Sequence, residues 1–253
     1  RESNDRPFEL PEYQDSLVQC ITAANPNTVV LLNAGGNVDM SKWIDKVPSL
    51  LHLWYAGQEG GTAVAEILFG KVNPSGKLPI SFEKKWEDNP AYPYYYDRDG
   101  DKRVEYKEGL FMGYRHYDVS ETKPQFAFGY GMSYTTFKYS DLRIDREKGR
   151  DLAVKVRFTV KNTGKHDGAE TAQVYIRPIN PKVERPYKEL KGFAKHFIRK
   201  NAVQEIEIPL DKDAFSYYKT ELKDFDYDAG SYEVLVGSAS DDIRLRKVIQ
   251  IEK

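Results

Sequence analysis

The sequence is poor in several of the features that most often betray chemistry. A single cysteine, Cys20, leaves no partner for an intramolecular disulfide. The four histidines, His52, His116, His166 and His196, are scattered without the spacing of a metal site, so neither a metal nor a cofactor is expected. There is no excess of basic charge: 38 Lys and Arg stand against 39 Asp and Glu, for a net charge of -1. A strongly basic face for nucleic acid would need an excess that is absent, so no nucleic-acid partner is expected. No apolar run approaches the roughly 18 residues of a membrane span, so no membrane partner is expected either. The first residue is Arg1 rather than Met. The native start is therefore expected elsewhere, and the lack of a signal peptide carries no information.

What is present suits a globular protein. Of 253 residues, 40% are hydrophobic and 30% charged, enough for one large core or two ordinary domains. Eighteen tyrosines and three tryptophans suit sugar stacking, but for most of them a tyrosine-rich β-domain core is the simpler use.

Residues 11–82 alternate helix and strand signals. Pro11 opens an amphipathic stretch with Leu17, Val18, Ile21 and Ala24 at helical spacing, ended by Asn25-Pro26. Residues 28–33 form a short apolar run stopped by Ala34-Gly35-Gly36, which reads as a buried parallel strand. Trp43, Ile44 and Val47 suggest a brief helix, and residues 50–55 a second strand. Gly60-Gly61 lead into a helix over 62–69 closed by Gly70. Residues 78–82 are expected as a third strand, held to a sheet edge by Pro79. This rhythm is too short for a complete doubly wound domain, so further strands are expected upstream.

Periodicity is lost over 83–132, where Trp86, Tyr92, Tyr94, Tyr95, Tyr96, Tyr106, Phe111, Tyr114 and Tyr117 sit among Pro, Gly and charges. A stretch this aromatic is expected to wrap over a surface, since burying an aromatic ring is worth on the order of 1.5–3 kcal/mol. Asp97-Arg98-Asp99-Gly100-Asp101 loosely resembles a calcium loop, but its downstream acidic ligand is misplaced, and a solvated turn is the simpler reading. From about Phe137 the pattern becomes all-β. Residues 152–160 alternate strictly, and 171–176, 188–198, 203–208, 232–237 and 243–251 give further strands between turn residues. That spacing predicts a seven-stranded sandwich of immunoglobulin or fibronectin type III kind. The expected fold class is thus α/β plus all-β. A partial parallel α/β sandwich spans 1–82, an aromatic-rich extended connector 83–132, and a fibronectin type III-like β-sandwich 133–253.

Several segments, taken in order, resemble family-3 glycoside hydrolases of the β-glucosidase type. Residues 27–37 (NTVVLLNAGGN), 54–70 (WYAGQEGGTAVAEILFG) and 72–80 (VNPSGKLPI) look like that family's α/β sandwich domain. Residues 106–117 (YKEGLFMGYRHY) and 126–137 (FAFGYGMSYTTF) look like the connection that leaves it. Residues 162–175 (NTGKHDGAETAQVY), 184–193 (ERPYKELKGF) and 230–237 (GSYEVLVG) look like the fibronectin-like domain that follows.

The resemblance implies retaining hydrolysis of terminal β-D-glucosyl residues by two carboxyl groups, a nucleophile and an acid/base. The family's nucleophile is an Asp on an N-terminal (β/α)8 barrel, and no part of that barrel is in this sequence. Its acid/base is commonly a Glu in a pattern like Glu-Gly-x-Asp-Arg. Here Glu2-Ser3-Asn4-Asp5-Arg6 stands, which makes Glu2 the candidate, with Ser3 at the glycine position and Asp5 and Arg6 bracing the loop. Glu59, beside Gly60-Gly61, is the next carboxylate in line, though it reads more simply as a charge at a helix N-terminus. The implied partners are an oligosaccharide or glycoside substrate and the missing barrel, and the implied location is periplasmic or secreted. The chain alone is expected to be inert. A non-catalytic carbohydrate-binding or scaffold module is the competing reading, and β-xylosidase specificity competes within the family.

Overall fold

A computed structural model describes residues 7–98, 100–146 and 152–253. The chain divides into two compact units, considered separately. The first comprises residues up to Val72, Ser81–Gly109 and Thr122–Phe126, and the second comprises Asn73–Ile80, Leu110–Glu121 and Ala127–Lys253. Residues 83–132 are therefore shared between the two.

The first unit opens with helix α1, Gln14–Ala24, whose end is set by Asn25-Pro26, because a residue before proline is pushed out of the helical region. The Asn25 side chain then accepts from the amide of Asn27 (2.9 Å), and its carbonyl from the Thr28 hydroxyl (2.7 Å), turning the chain into strand β1, Val29–Leu32. Strand β2, Ser49–His52, pairs with β1 in parallel, Val29 opposite Ser49 and Leu32 opposite His52. A parallel pair needs a crossover. Here it is residues 33–48, with a single 3-10 turn at Ile44–Lys46. Val38, Met40 and Trp43 of this crossover are buried. Asp15 of α1 ties it down, accepting from Trp43 Nε1 (3.0 Å) and Lys42 Nζ (2.7 Å). Helix α2 spans Gly60–Leu68, and a one-turn helix α3 spans Tyr92–Tyr95.

Two expectations need correction here. β1 is not buried on both faces: Val29 and Leu31 are exposed, as are Leu17 and Ile21 of α1. Within this unit the described sheet has two strands, so nothing covers that face. Residues 78–82 do not form a third strand. Phe82 makes one isolated antiparallel bridge to Phe126, and Leu78 donates to the Tyr130 carbonyl (2.8 Å) and accepts from the Gly129 amide (2.7 Å), but Pro79 offers no N–H with which to continue a ladder. The aromatic residues after it pack on one another, with Trp86 edge-on to Tyr92 (5.7 Å) and to Tyr95 (5.2 Å).

The second unit contains the one-turn helix α4, Tyr114–Tyr117, and nine strands: β3 Phe137–Arg146, β4 Val154–Asn162, β5 Gly168–Pro178, β6 Glu189–Ile198, β7 Val203–Leu210, β8 Tyr217–Lys219, β9 Asp224–Asp226, β10 Gly230–Gly237 and β11 Ile243–Ile251. Among the described residues, seven of them make a sandwich. One sheet has the order β11-β10-β5-β6 and the other β3-β4-β7, while β8 and β9 form a separate two-stranded ribbon of three residue pairs. No long helix interrupts the described residues after Thr135.

The core follows from period-2 alternation. Val154, Val156, Phe158 and Val160 of β4 and Ile206, Ile208 and Leu210 of β7 are buried with Ala172, Val174 and Ile176 of β5 and Val234 and Val236 of β10. Each such side chain contributes on the order of 1.5–3 kcal/mol of burial. Three register shifts bend the ladders, at Ser140/Arg143 of β3, Val174/Tyr175 of β5 and Val236/Gly237 of β10.

Two buried polar side chains of this unit, Asn162 and Lys188, are paired. Asn162 is fully buried: its Oδ1 accepts from the Thr135 hydroxyl (2.6 Å) and the Gly164 amide (3.1 Å), and its Nδ2 donates to the carbonyls of His166 (2.8 Å) and Ile198 (2.9 Å). That is the full hydrogen-bonding capacity of a carboxamide. Lys188 is likewise buried and is ion-paired to Asp118, with its ammonium over the rings of Tyr175 and Tyr187. Burial lowers the Lys188 pKa, and the Asp118 carboxylate opposes that shift.

Candidate functional site at the carboxyl end of the parallel strands

Open α/β sheets bind ligands beyond the carboxyl ends of their strands. In the first unit those ends carry two loops. β1 runs out into Asn33-Ala34-Gly35-Gly36-Asn37, and β2 into Leu53-Trp54-Tyr55-Ala56-Gly57-Gln58-Glu59 before α2 begins at Gly60. The Leu53 amide still donates to the Leu32 carbonyl (2.8 Å), so the two loops leave the sheet side by side.

His52 and Trp54 fix the second loop. The Trp54 amide donates to His52 Nδ1 (3.3 Å), and Nε2 of the same ring lies 3.2 Å from the Gly36 carbonyl. These contacts fit the neutral tautomer protonated at Nε2. Burial holds the His52 pKa below its ordinary value, the Gly36 carbonyl acting weakly in the other direction. The rings of His52 and Trp54 meet at 4.5 Å, and both pack on the buried Phe82, at 5.3 and 6.2 Å. This clamp holds Trp54 at a φ of 52°, in the left-handed region that bulky residues avoid. Such a conformation costs on the order of 1–3 kcal/mol and persists only where its surroundings enforce it.

The strained turn throws the next residue outward. Tyr55 is 84% exposed, yet the tip of its ring rests over Gly35: a Cβ added there would stand 2.4 Å from the Tyr55 hydroxyl. Glycine at 35 is thus what allows the ring its place. Gly60 is needed for a similar reason, since a Cβ there would lie 2.7 Å from that of Ala56.

Glu59 is exposed, and its carboxylate accepts from the Thr62 hydroxyl (3.1 Å) in the first turn of α2. It behaves as a helix-terminal charge. Asn37 is buried and bonded to Glu83, donating to its carbonyl (2.9 Å) and carboxylate (3.0 Å). Asp97 accepts from the amides of Gly100 (2.7 Å) and Lys102 (2.9 Å), and Asp101 from that of Arg103 (2.7 Å). Among the described residues no group of three His, Cys, Asp or Glu side chains is placed to hold a metal ion, and no helix is long and apolar enough to cross a membrane. Glu2, Ser3, Asn4, Asp5 and Arg6 lie outside the described residues, as does Asp99.

The loops thus offer the exposed ring of Tyr55 with exposed carboxamides, Asn33 and Gln58, and the exposed carboxylate of Glu59 on the same two segments. That combination suits a polar ligand with an apolar face. Tyr55, expected within a strand over 50–55, lies instead in the loop after β2, which ends at His52; the pairing of Gly35 with a Trp-Tyr dipeptide about twenty residues away is the sequence signal for it.

Comparison with known proteins fixes the family. Residues 1–134 match the glycosyl hydrolase family 3 C-terminal domain, and residues 170–240 match a fibronectin type III-like domain. The chain belongs to glycosyl hydrolase family 3. It is 43% identical over 245 residues to thermostable beta-glucosidase B of Acetivibrio thermocellus, covering 96% of this chain and 32% of that protein. It is 42% identical over 248 residues to a beta-glucosidase of Kluyveromyces marxianus, covering 97% of this chain and 29% of that protein. The crystal structure of the GH3 beta-glucosidase of Bifidobacterium adolescentis superposes with a TM-score of 0.91 at 36% identity, covering 98% of this chain and 36% of that one. The K. marxianus beta-glucosidase in complex with glucose gives 0.91 at 41% identity, over 98% of this chain and 29% of that one. The family 3 chain therefore spans about a third of the length of the relatives it matches, and it corresponds to their C-terminal part.

Proposed function

We propose that this family 3 chain is the C-terminal portion of a retaining, exo-acting β-glucosidase that releases terminal β-D-glucosyl residues from oligosaccharides or glycosides. The observation that carries the reading is the identity of 42–43% to beta-glucosidases across almost the whole chain. The motif Glu2-Ser3-Asn4-Asp5-Arg6 supports the assignment of Glu2 as the general acid/base.

In this reading an Asp carboxylate on a barrel domain outside this chain attacks the anomeric carbon. Glu2, protonated, gives its proton to the departing glycosidic oxygen. The resulting glycosyl-enzyme ester is opened by water, from which the Glu2 carboxylate now takes a proton. The first step needs a Glu whose pKa is raised toward working pH by desolvation and by the nearby nucleophile. Both influences come from the partner domain, so the chain alone is inert.

The test is an assay of the isolated chain and of the full-length enzyme on aryl β-D-glucoside, aryl β-D-xyloside and cellobiose. The full-length enzyme is expected to turn over the glucosides fastest and the isolated chain none of them. Preference for the xyloside would contradict the sugar assignment, and turnover by the isolated chain would contradict the split site.

A further inference from the structure

We infer that His52 is an acid-released latch on the loop that leaves β2, residues 53–59, holding it in place while the imidazole is neutral and freeing it when the ring takes a second proton. Both ring nitrogens are already engaged. Nε2 lies 3.2 Å from the Gly36 carbonyl, and Nδ1 accepts from the Trp54 amide at 3.3 Å. An imidazolium donates from both nitrogens. A proton on Nδ1 would thus point an N–H at the Trp54 N–H and break that bond, while the contact to Gly36 survives. What the bond restrains is a strained backbone, since Trp54 sits at a φ of 52°, left-handed for a bulky residue. Once released, Trp54 can relax toward an ordinary conformation, and the loop moves with it.

The loop has room for that motion. Its near end is anchored where the Leu53 amide donates to the Leu32 carbonyl (2.8 Å), and its far end where the Gly60 amide donates to the Gly57 carbonyl (3.3 Å). Residues 55–59 are exposed, and Gly57, at a φ of 69°, supplies a pivot among them. The surroundings of the ring leave the proton to His52. Strand β1 and residues 33–37 carry no charged side chain, and the rings of Trp54 and Phe82 pack on the imidazole without titrating. Glu83, next to Phe82, accepts from the carboxamides of Asn37 (3.0 Å) and Asn89 (2.6 Å), and Glu59, at the end of the loop, from the Thr62 hydroxyl (3.1 Å). Burial holds the His52 pKa below its ordinary 6.5, so the latch is fully closed above that pH and opens as pH falls below it. The loop stands at the carboxyl end of the parallel strands, where α/β sheets receive ligands, so acid loosens one wall of that site.

The experiment is hydrogen exchange, read by mass spectrometry, on the full-length enzyme at pH 7.5 and pH 5, with rates corrected for the pH dependence of the exchange chemistry itself. Wild-type peptides over 53–59 are expected to lose protection about tenfold at the lower pH, the scale of one hydrogen bond. Peptides over β2, α2 and the sandwich strands are expected to keep theirs. His52→Gln can donate and accept but cannot titrate, and its loop is expected to be equally protected at the two pH values. Wild-type protection over 53–59 that does not change with pH would overturn the latch, and this outcome needs no variant. An equal acid loss in His52→Gln would overturn it as well. So would a simultaneous loss over β2 and α2, which would mean that acid unfolds the whole unit and releases no loop of its own.

Discussion

The Trp54 amide donates to Nδ1 of His52, two residues back along the same turn, at 3.3 Å. The acceptor is therefore a neutral imidazole nitrogen, and a proton placed on it would oppose the bond. Burial of the ring acts in the same sense, lowering the His52 pKa below 6.5. In the window below 6.5 the unfolded chain binds more protons than the folded one, so stability is full above that pH and falls as pH drops through it.

The consequence is measurable. His52→Gln removes the titrating group, so the stability difference between wild type and variant, from urea unfolding, is expected to shrink as pH goes from 7.5 to 5. A difference that stays constant with pH would show that His52 does not titrate differently on folding.

Asn162 supplies a second prediction. Its carboxamide serves four partners, of which Thr135 and Ile198 are buried, linking the turn after β4 to Thr135 and to Ile198. Asn162→Ala removes all four hydrogen bonds and is expected to cost about 3 kcal/mol. Asn162→Asp is expected to be at least as harmful, because a carboxylate would face the His166 and Ile198 carbonyls. Equilibrium urea unfolding checks both, and a loss under 1 kcal/mol in either would contradict the pairing.

A third concerns the buried ion pair of Lys188 with Asp118. Lys188→Met removes one charge and leaves the other inside the protein, which is expected to cost about 3–5 kcal/mol. Because burial opposes the charged amine, Lys188→Arg is not expected to restore the wild-type stability: the longer, planar group does not fit a site shaped by Tyr175 and Tyr187. Thermal unfolding of the two variants separates loss of charge from loss of fit.

How much of this was legible in the sequence depends on the range of the interaction. The alternation of Val154, Val156, Phe158 and Val160 announces β4 because period 2 is a local property. The β8–β9 ribbon carries no sequence signature, because three-residue strands are too short to display a period. The edge strand expected over 78–82 with Pro79 in it is not formed: Phe82 makes an isolated bridge, and Pro79 has no N–H to give a ladder. The exposure of Val29, Leu31, Leu17 and Ile21 was invisible, since an apolar run does not say what covers it. Tyr55 was hidden for a different reason. Its position depends on Gly35, twenty residues earlier, and on the left-handed turn at Trp54, and neither is written in local composition. Glu2 came from a motif alone, and its five residues lie outside those the structure describes.

The most direct test of the account is Glu2→Gln in the full-length enzyme. The substitution removes the proton donor and leaves the barrel nucleophile intact. Cellobiose, whose leaving group needs protonation, is expected to lose several orders of magnitude in kcat/KM, while a dinitrophenyl β-D-glucoside, whose leaving group departs unassisted, loses far less. Azide is expected to restore turnover of the dinitrophenyl glucoside, yielding a glucosyl azide by attack on the glycosyl-enzyme in place of activated water. Equal losses on the two substrates without azide rescue would contradict the assignment and move the acid/base role to another carboxylate.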